Sequence, residues 1–192
     1  FVISAICVLR GIAQPLLAKG DTFIVVIDAG HGGKDPGAKG VKTNEKTINL
    51  AVALKLGKMI AAGHDDVQVI YTRKTDKFVE LSERANIANR NKADLFISIH
   101  TNSLKKKNAS VKGAETYTLG LAKTQENLEV AMLENSVILL EENYRQRYEG
   151  FDPNSSESYI IFEFMQNKHM EQSVSFASEI QKEFVAARRV NR

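Results

Sequence analysis

Tryptophan is absent from the 192 residues, and the single cysteine, Cys7, excludes a disulfide framework. Aromatic residues make up 7% of the chain, too few for the stacking platforms that hold single-stranded nucleic acid. An excess of one charge is lacking too, since 26 Lys and Arg stand against 23 Asp and Glu. The densest basic run is Lys105-Lys106-Lys107, and three lysines in a polar loop read as a solvated face rather than a nucleic-acid site. No apolar stretch reaches the ~20 residues of a membrane-spanning helix. What is present is enough apolar sequence, 43% of the residues, for one globular domain with a core.

Residues 1–9 are almost wholly apolar and have the length of a secretory signal core. Ala18, before Lys19, is the candidate cleavage point, although Leu16 and Leu17 fit the small-residue rule poorly. The chain opens on Phe1, so it reads as a fragment without the basic head of that signal. Residues 1–19 are accordingly taken as a leader and 20–192 as the domain, with the mature chain outside the cytoplasm. The alternative is an apolar edge segment of the fold. Cys7 reads as a small buried hydrophobe rather than a lipoprotein site.

The chain is organised around Phe23-Ile24-Val25-Val26-Ile27-Asp28-Ala29-Gly30-His31-Gly32-Gly33. Five unbroken apolar residues predict a strand buried on both faces, as in a parallel sheet. It stops at Asp28 and opens into a glycine-rich loop around His31, at the sheet edge where α/β folds place ligands. His31 is a candidate metal ligand. A helix follows, with Asn44 as cap, Ile48, Val52, Leu56 and Met59 as its apolar stripe, Leu50 and Leu54 widening it for close packing on a sheet, and Gly63 as its end. Glu45 falls in the first turn, where an acid suits the helix dipole; beside His31 it is also a second candidate ligand.

Val67–Thr72 predicts the second strand, Leu81 to Ala88 a short helix, and Asp94–His100 the third strand. Arg73, at a strand end, either faces the site or, like Arg84, pairs with Asp76. His64 reads as a surface residue. Alternating strands and helices predict an α/β fold: a mostly parallel open sheet flanked by helices, with a helical insertion in the second half. In that topology His31 and His100 leave the same sheet edge, with Glu45 between them. Two imidazoles and one carboxylate form a catalytic zinc set with a fourth position open.

At this point the sequence resembles the zinc-dependent N-acetylmuramoyl-L-alanine amidases of bacterial cell-wall remodelling. The resemblance rests on Val26–Gly33, Asn44-Glu45-Lys46, Thr72–Asp76, Leu81–Asn86 and Ser98–Asn102, in family order over roughly residues 23–119. It implies zinc on His31, Glu45 and His100, and as substrate the amide joining muramic acid to L-alanine of the peptidoglycan stem peptide. It also implies a further glutamate on a late strand as general acid/base. No such strand is read after residue 164, so no residue is given that role and the C-terminus is taken as incomplete, which predicts a chain that binds zinc but has lost ~10²–10⁴ in hydrolytic rate. Two further readings follow: a non-catalytic peptidoglycan-binding or regulatory fragment, and a different zinc peptidase on an α/β scaffold.

Gly113–Leu119 predicts a fourth strand, with Glu115 facing either site or solvent. Residues 122–149 predict helix, 151–156 a turn, and 157–184 one long helix or two, with His169 on its polar side. Some cell-division amidases of the resembled type carry a helical segment over the zinc cleft that an activator protein displaces. The resemblance therefore implies a lid over about 121–160, with Glu134, Glu141 or Glu142 entering the open metal position. The alternative is ordinary helical packing.

Overall fold

A computed structural model describes residues 22–102, 113–118, 125–149, 151–155, 158 and 169–187. The leader assigned to residues 1–19, Cys7 within it, and Lys105–Lys107 lie outside these residues.

The apolar run at the start forms β1 (Phe23–Ala29), parallel to β2 (Val67–Tyr71) on one side and to β3 (Leu95–Ile99) on the other. The strand order is β2-β1-β3. The first crossover is helix α1 (Glu45–Gly63) and the second is helix α2 (Leu81–Arg90), which carries the chain back past β1 to β3. The winding direction thus reverses at β1, and its carboxyl end is the switch point where such sheets leave a crevice.

The two sheet faces differ in chemistry because side chains alternate along a strand. Val25, Ile27 and Ala29 join Leu95, Ile97 and Ile99 of β3 and Ala53 of α1 in the apolar core. The opposite face carries Asp28, Thr72 and Ser98, whose side chains are hydrogen-bonded together and to Arg84 of α2.

Helix α1 corrects the expected stripe. Its buried positions are Glu45, Asn49, Ala53 and Gly57, spaced by four, while Met59 is 64% exposed. Close approach to the sheet selects small residues there: a Cβ on Gly57 would stand 1.9 Å from the Tyr71 hydroxyl. Leu50, Val52, Leu56 and Ile60 then pack against the core from the flanks. Asn44 occupies the cap position without a side-chain cap bond. Instead the Glu45 and Lys46 amides donate to the Ala38 and Pro36 carbonyls, so the preceding loop itself satisfies the helix start.

The fourth strand is also corrected. Within 113–118 only Ala114 makes a bridge, and Leu119 lies outside the described residues. The second half is helical: α3 (Gln125–Asn135), a 3-10 helix (Ser136–Leu140), α4 (Tyr144–Arg147) and, after a turn at Pro153-Asn154, α5 (Met170–Ala186). Phe176 and Ile180 of α5 pack on the core and Ser173 and Ala177 are buried, whereas Val174 is half exposed and is not on the packing side. Residues 159–168 of the long predicted helix lie outside the described residues. Among the described residues no helix is long and apolar enough to cross a membrane.

Candidate metal centre

His31 leaves β1 with a φ of 61°, left-handed backbone that costs a β-carbon-bearing residue on the order of 1 kcal/mol. Several bonds hold it there. The Asp35 carboxylate accepts a hydrogen bond from His31 Nδ1 at 2.7 Å, and Arg84 Nη2 donates to the His31 carbonyl at 3.0 Å. Arg84 also donates to the Ala29 carbonyl and to Asp28. Arg73, 1% exposed, donates to the carbonyls of Ala29, Gly30 and Lys46 from beneath the loop. The two arginines thus donate to loop carbonyls and to Asp28 rather than into the site; Asp76, which feels the Arg73 charge, pairs with Lys46 at 2.7 Å and accepts from the Gly33 amide. Burial alone would raise Asp28, yet the Arg84 guanidinium and the Thr72 and Ser98 hydroxyls hold it below the usual carboxylate range.

Glu45 opens α1 at the mouth of the crevice. Its Oε2 accepts from the Ala38 amide, and its Oε1 from the Thr101 amide at 2.7 Å and from the Asn49 side chain at 3.2 Å. His100 follows β3 and lies against Gly30, where a Cβ would stand 2.3 Å from its Nε2; only glycine leaves room for the ring.

These elements bring His31, Glu45 and His100 together with Glu134 of α3, one ligand atom of each lying within 4.8 Å of the others. The imidazoles meet edge to face with centroids 4.8 Å apart. His31 Nε2 is 3.3 Å from Glu45 Oε1 and 3.3 Å from Glu134 Oε2; His100 Nδ1 is 3.3 Å and 2.8 Å from the same oxygens. Even so, His31 Nε2, His100 Nδ1 and Glu134 Oε2 are buried without a hydrogen-bond partner. Buried polar atoms are nearly always paired, so atoms that converge without bonding one another fit a shared cation. The donor set, two imidazole nitrogens and carboxylate oxygens, suits zinc.

The charges agree with that arrangement. Burial lowers His31, but the hydrogen bond with Asp35 and the nearby Glu134 and Glu45 carboxylates outweigh it and push the imidazole up to about 11. Burial likewise lowers His100, while Glu134 and Glu45 raise it to about 9. Burial would raise both carboxylates, yet the imidazoles hold Glu134 down at about 2 and Glu45 well below the carboxylate range. The pocket is built to stabilise positive charge at its centre.

Glu134 arrives on a segment with its own anchors. Lys34 Nζ donates to the Leu140 carbonyl at 2.7 Å and lies over the Phe78 ring. The Glu141 carboxylate accepts from the Leu81 amide at 2.6 Å, and the Tyr148 hydroxyl accepts from the Ser82 amide at 2.9 Å. The insertion thereby caps the N-terminus of α2, which lacks a cap of its own. Arg147 bridges Glu80 and Glu141. Of the three carboxylates expected to reach the site, Glu134 does so, Glu141 is a buried anchor, and Glu142 is exposed.

His64 is exposed, His169 precedes α5, and neither belongs to the cluster. Glu115 accepts a hydrogen bond from Tyr117 and is also outside it. No strand follows β3 among the described residues, and none of these residues is assigned the late general acid/base role. Asp35, Asn49 and Thr101 were not legible as site residues. The available signal was Asn49 standing one helical turn beyond Glu45, on the same face of α1.

The family model described as N-acetylmuramoyl-L-alanine amidase matches residues 25–192. The sporulation-specific N-acetylmuramoyl-L-alanine amidase of Bacillus subtilis (strain 168) is 44% identical over 79 residues, 41% of this chain and 31% of that protein. A Buchnera aphidicola subsp. Acyrthosiphon pisum (strain APS) protein, provisionally named as such an amidase, is 33% identical over 175 residues, 88% of this chain and 70% of its own length. Among solved structures, the catalytic domain of CwlV, an N-acetylmuramoyl-L-alanine amidase from Bacillus (Paenibacillus) polymyxa var. colistinus, is 40% identical with a TM-score of 0.47. It covers 58% of this chain and 60% of that one. The chain thus spans less than a third of the first of these relatives and under two thirds of the solved domain.

Proposed function

Because the chain belongs to the N-acetylmuramoyl-L-alanine amidase family, we propose that it hydrolyses the amide between N-acetylmuramic acid and L-alanine in peptidoglycan, at a zinc ion held by His31, Glu45 and His100. The observation that carries this reading is the convergence of His31 Nε2 and His100 Nδ1 on the carboxylates without hydrogen bonds. His31, Glu45 and His100 would hold the ion, which would supply Lewis-acid chemistry towards an amide carbonyl. Asp35 holds the proton on His31 Nδ1 and so turns the Nε2 lone pair inward. Glu45, pinned by three N–H donors, presents Oε1 to both imidazoles.

Glu134 brings a fourth ligand atom into the cluster, where a substrate carbonyl would otherwise bind. The insertion over about 121–160 is therefore a lid on the catalytic domain of residues 20–192, anchored through Lys34, Glu141 and Tyr148 and displaced by an activator protein. The substrate places the work in the cell envelope, the periplasm or the wall outside the cytoplasm, which agrees with residues 1–19 acting as a signal.

The test is incubation of purified sacculi with the zinc-loaded chain and with Glu134→Ala. Free stem peptides with L-alanine at their amino end should appear, faster for E134A, and chelation should stop them. Absence of such peptides from both proteins refutes the hydrolytic reading. Equal rates from both remove the lid and leave the hydrolase.

A further inference from the structure

Three ligand-bearing segments leave three different elements: the loop after β1, the first turn of α1, and the residues after β3. Something must hold them in register, because a productive metal or catalytic geometry tolerates errors of only ~0.5 Å. Asn49 is completely buried within α1. Its Nδ2 donates to the carbonyl of Gly30, the residue before His31, at 3.3 Å, and to Glu45 Oε1 at 3.2 Å. Its Oδ1 accepts from the hydroxyl of Thr101, the residue after His100, at 2.8 Å. One side chain thus touches all three segments. We propose that Asn49 is a positioning residue of the metal centre: its amide ties the His31 loop, the Glu45 carboxylate and the His100 segment into one frame.

The cost of the arrangement supports this. Burying an amide without partners costs roughly 1–3 kcal/mol, and the neighbouring position Ala53 shows that an apolar residue serves this helix face for packing. The backbone of α1 is rigid between Glu45 and Asn49, so the amide meets the carboxylate from a fixed distance. Oε1, which Asn49 shares with the Thr101 amide, is also the oxygen facing both imidazoles. The hydrogen bonds on Oε1 fix the orientation of the Glu45 carboxylate beside the imidazoles, a role in which outer-shell partners typically alter metal affinity ~10–100-fold.

This inference rests on the zinc reading above, and its test separates the two. Zn2+ affinity is measured on the whole chain by competition with a chromophoric chelator, and the Co2+-substituted protein is examined by visible absorption. The proteins are wild type, Asn49→Ala, the milder Thr101→Val, and Leu95→Ala as a core control at the far end of β3. Asn49→Ala should weaken Zn2+ binding ~10–100-fold and shift the Co2+ bands, and Thr101→Val should do the same to a smaller extent. Leu95→Ala should lower the melting temperature and leave affinity and spectrum intact. Unchanged affinity and bands in the folded Asn49 and Thr101 variants overturn the proposal, as does an equal loss in Leu95→Ala. Should Asn49→Ala not fold, Thr101→Val decides alone. A wild-type chain that takes up no zinc overturns the metal centre itself.

Discussion

Gly30→Ala is the smallest change that should disable the candidate metal centre. Gly30 does not use left-handed backbone, so alanine is conformationally acceptable there. The difficulty is steric: the new Cβ would lie 2.3 Å from His100 Nε2, 2.4 Å from Cε1 and 2.8 Å from Cδ2. Ordinary contact begins near 3.4 Å, so the ring must retreat by about 1 Å. Overpacking of this kind costs ~1–3 kcal/mol of stability. The larger effect is on the ligand set, because a retreat of ~1 Å exceeds the positional tolerance of such a site. Zinc affinity should fall ~100-fold. The assay is thermal or denaturant unfolding with and without zinc, at a concentration 100 times the wild-type dissociation constant. Wild type should gain about 2.7 kcal/mol from the ion, and the variant, then near half-saturation, only about 0.4 kcal/mol. An equal gain in both proteins would refute the placement of His100 against Gly30 as a determinant of the site.

Arg84→Met should cost ~3–5 kcal/mol in denaturant unfolding, because it removes the cation beside the buried Asp28 carboxylate and the donor to the His31 carbonyl; a loss below ~1 kcal/mol contradicts the clamp. Metal-free protein should be destabilised on the alkaline side. His100 is raised from 6.5 to about 9 against the pull of burial, so its contribution is complete below pH 6.5 and disappears as pH rises through 9. Glu134 is lowered from 4.5 to about 2, so its contribution is complete above pH 4.5 and disappears as pH falls through 2. Urea midpoints of the chelated chain between pH 6 and 10 should therefore decline, with a shallower decline in Glu134→Gln; a rise contradicts the charge arrangement.

The parallel sheet was legible because each strand is mostly apolar and gives way abruptly to polar residues. The same punctuation marked His31 and His100, and the short distance from the Asn44 cap marked Glu45. Glu134 was one of three acidic candidates on the insertion, and nothing local distinguishes it from Glu141. The choice depends on how Lys34, Leu81 and Ser82 receive the segment, a long-range matter. The stripe of α1 misled for a physical reason. Large apolar residues mark a burial face when helices lie at ordinary distance, but here the close approach of Gly57 to Tyr71 puts small and polar residues at the contact. Arg73 and Arg84 read in sequence as facing the site or pairing with Asp76, whereas the fold directs them to loop carbonyls and to Asp28, the residue at which the apolar run of the first strand stops.

The zinc content of the purified chain, beside that of His31→Ala, Glu45→Ala and His100→Ala, bears most directly on the account. One equivalent in the wild type, with little or none retained by each folded variant, is the predicted result. Zinc held equally by all four proteins would contradict it and would leave the converging imidazoles and carboxylates without their proposed purpose.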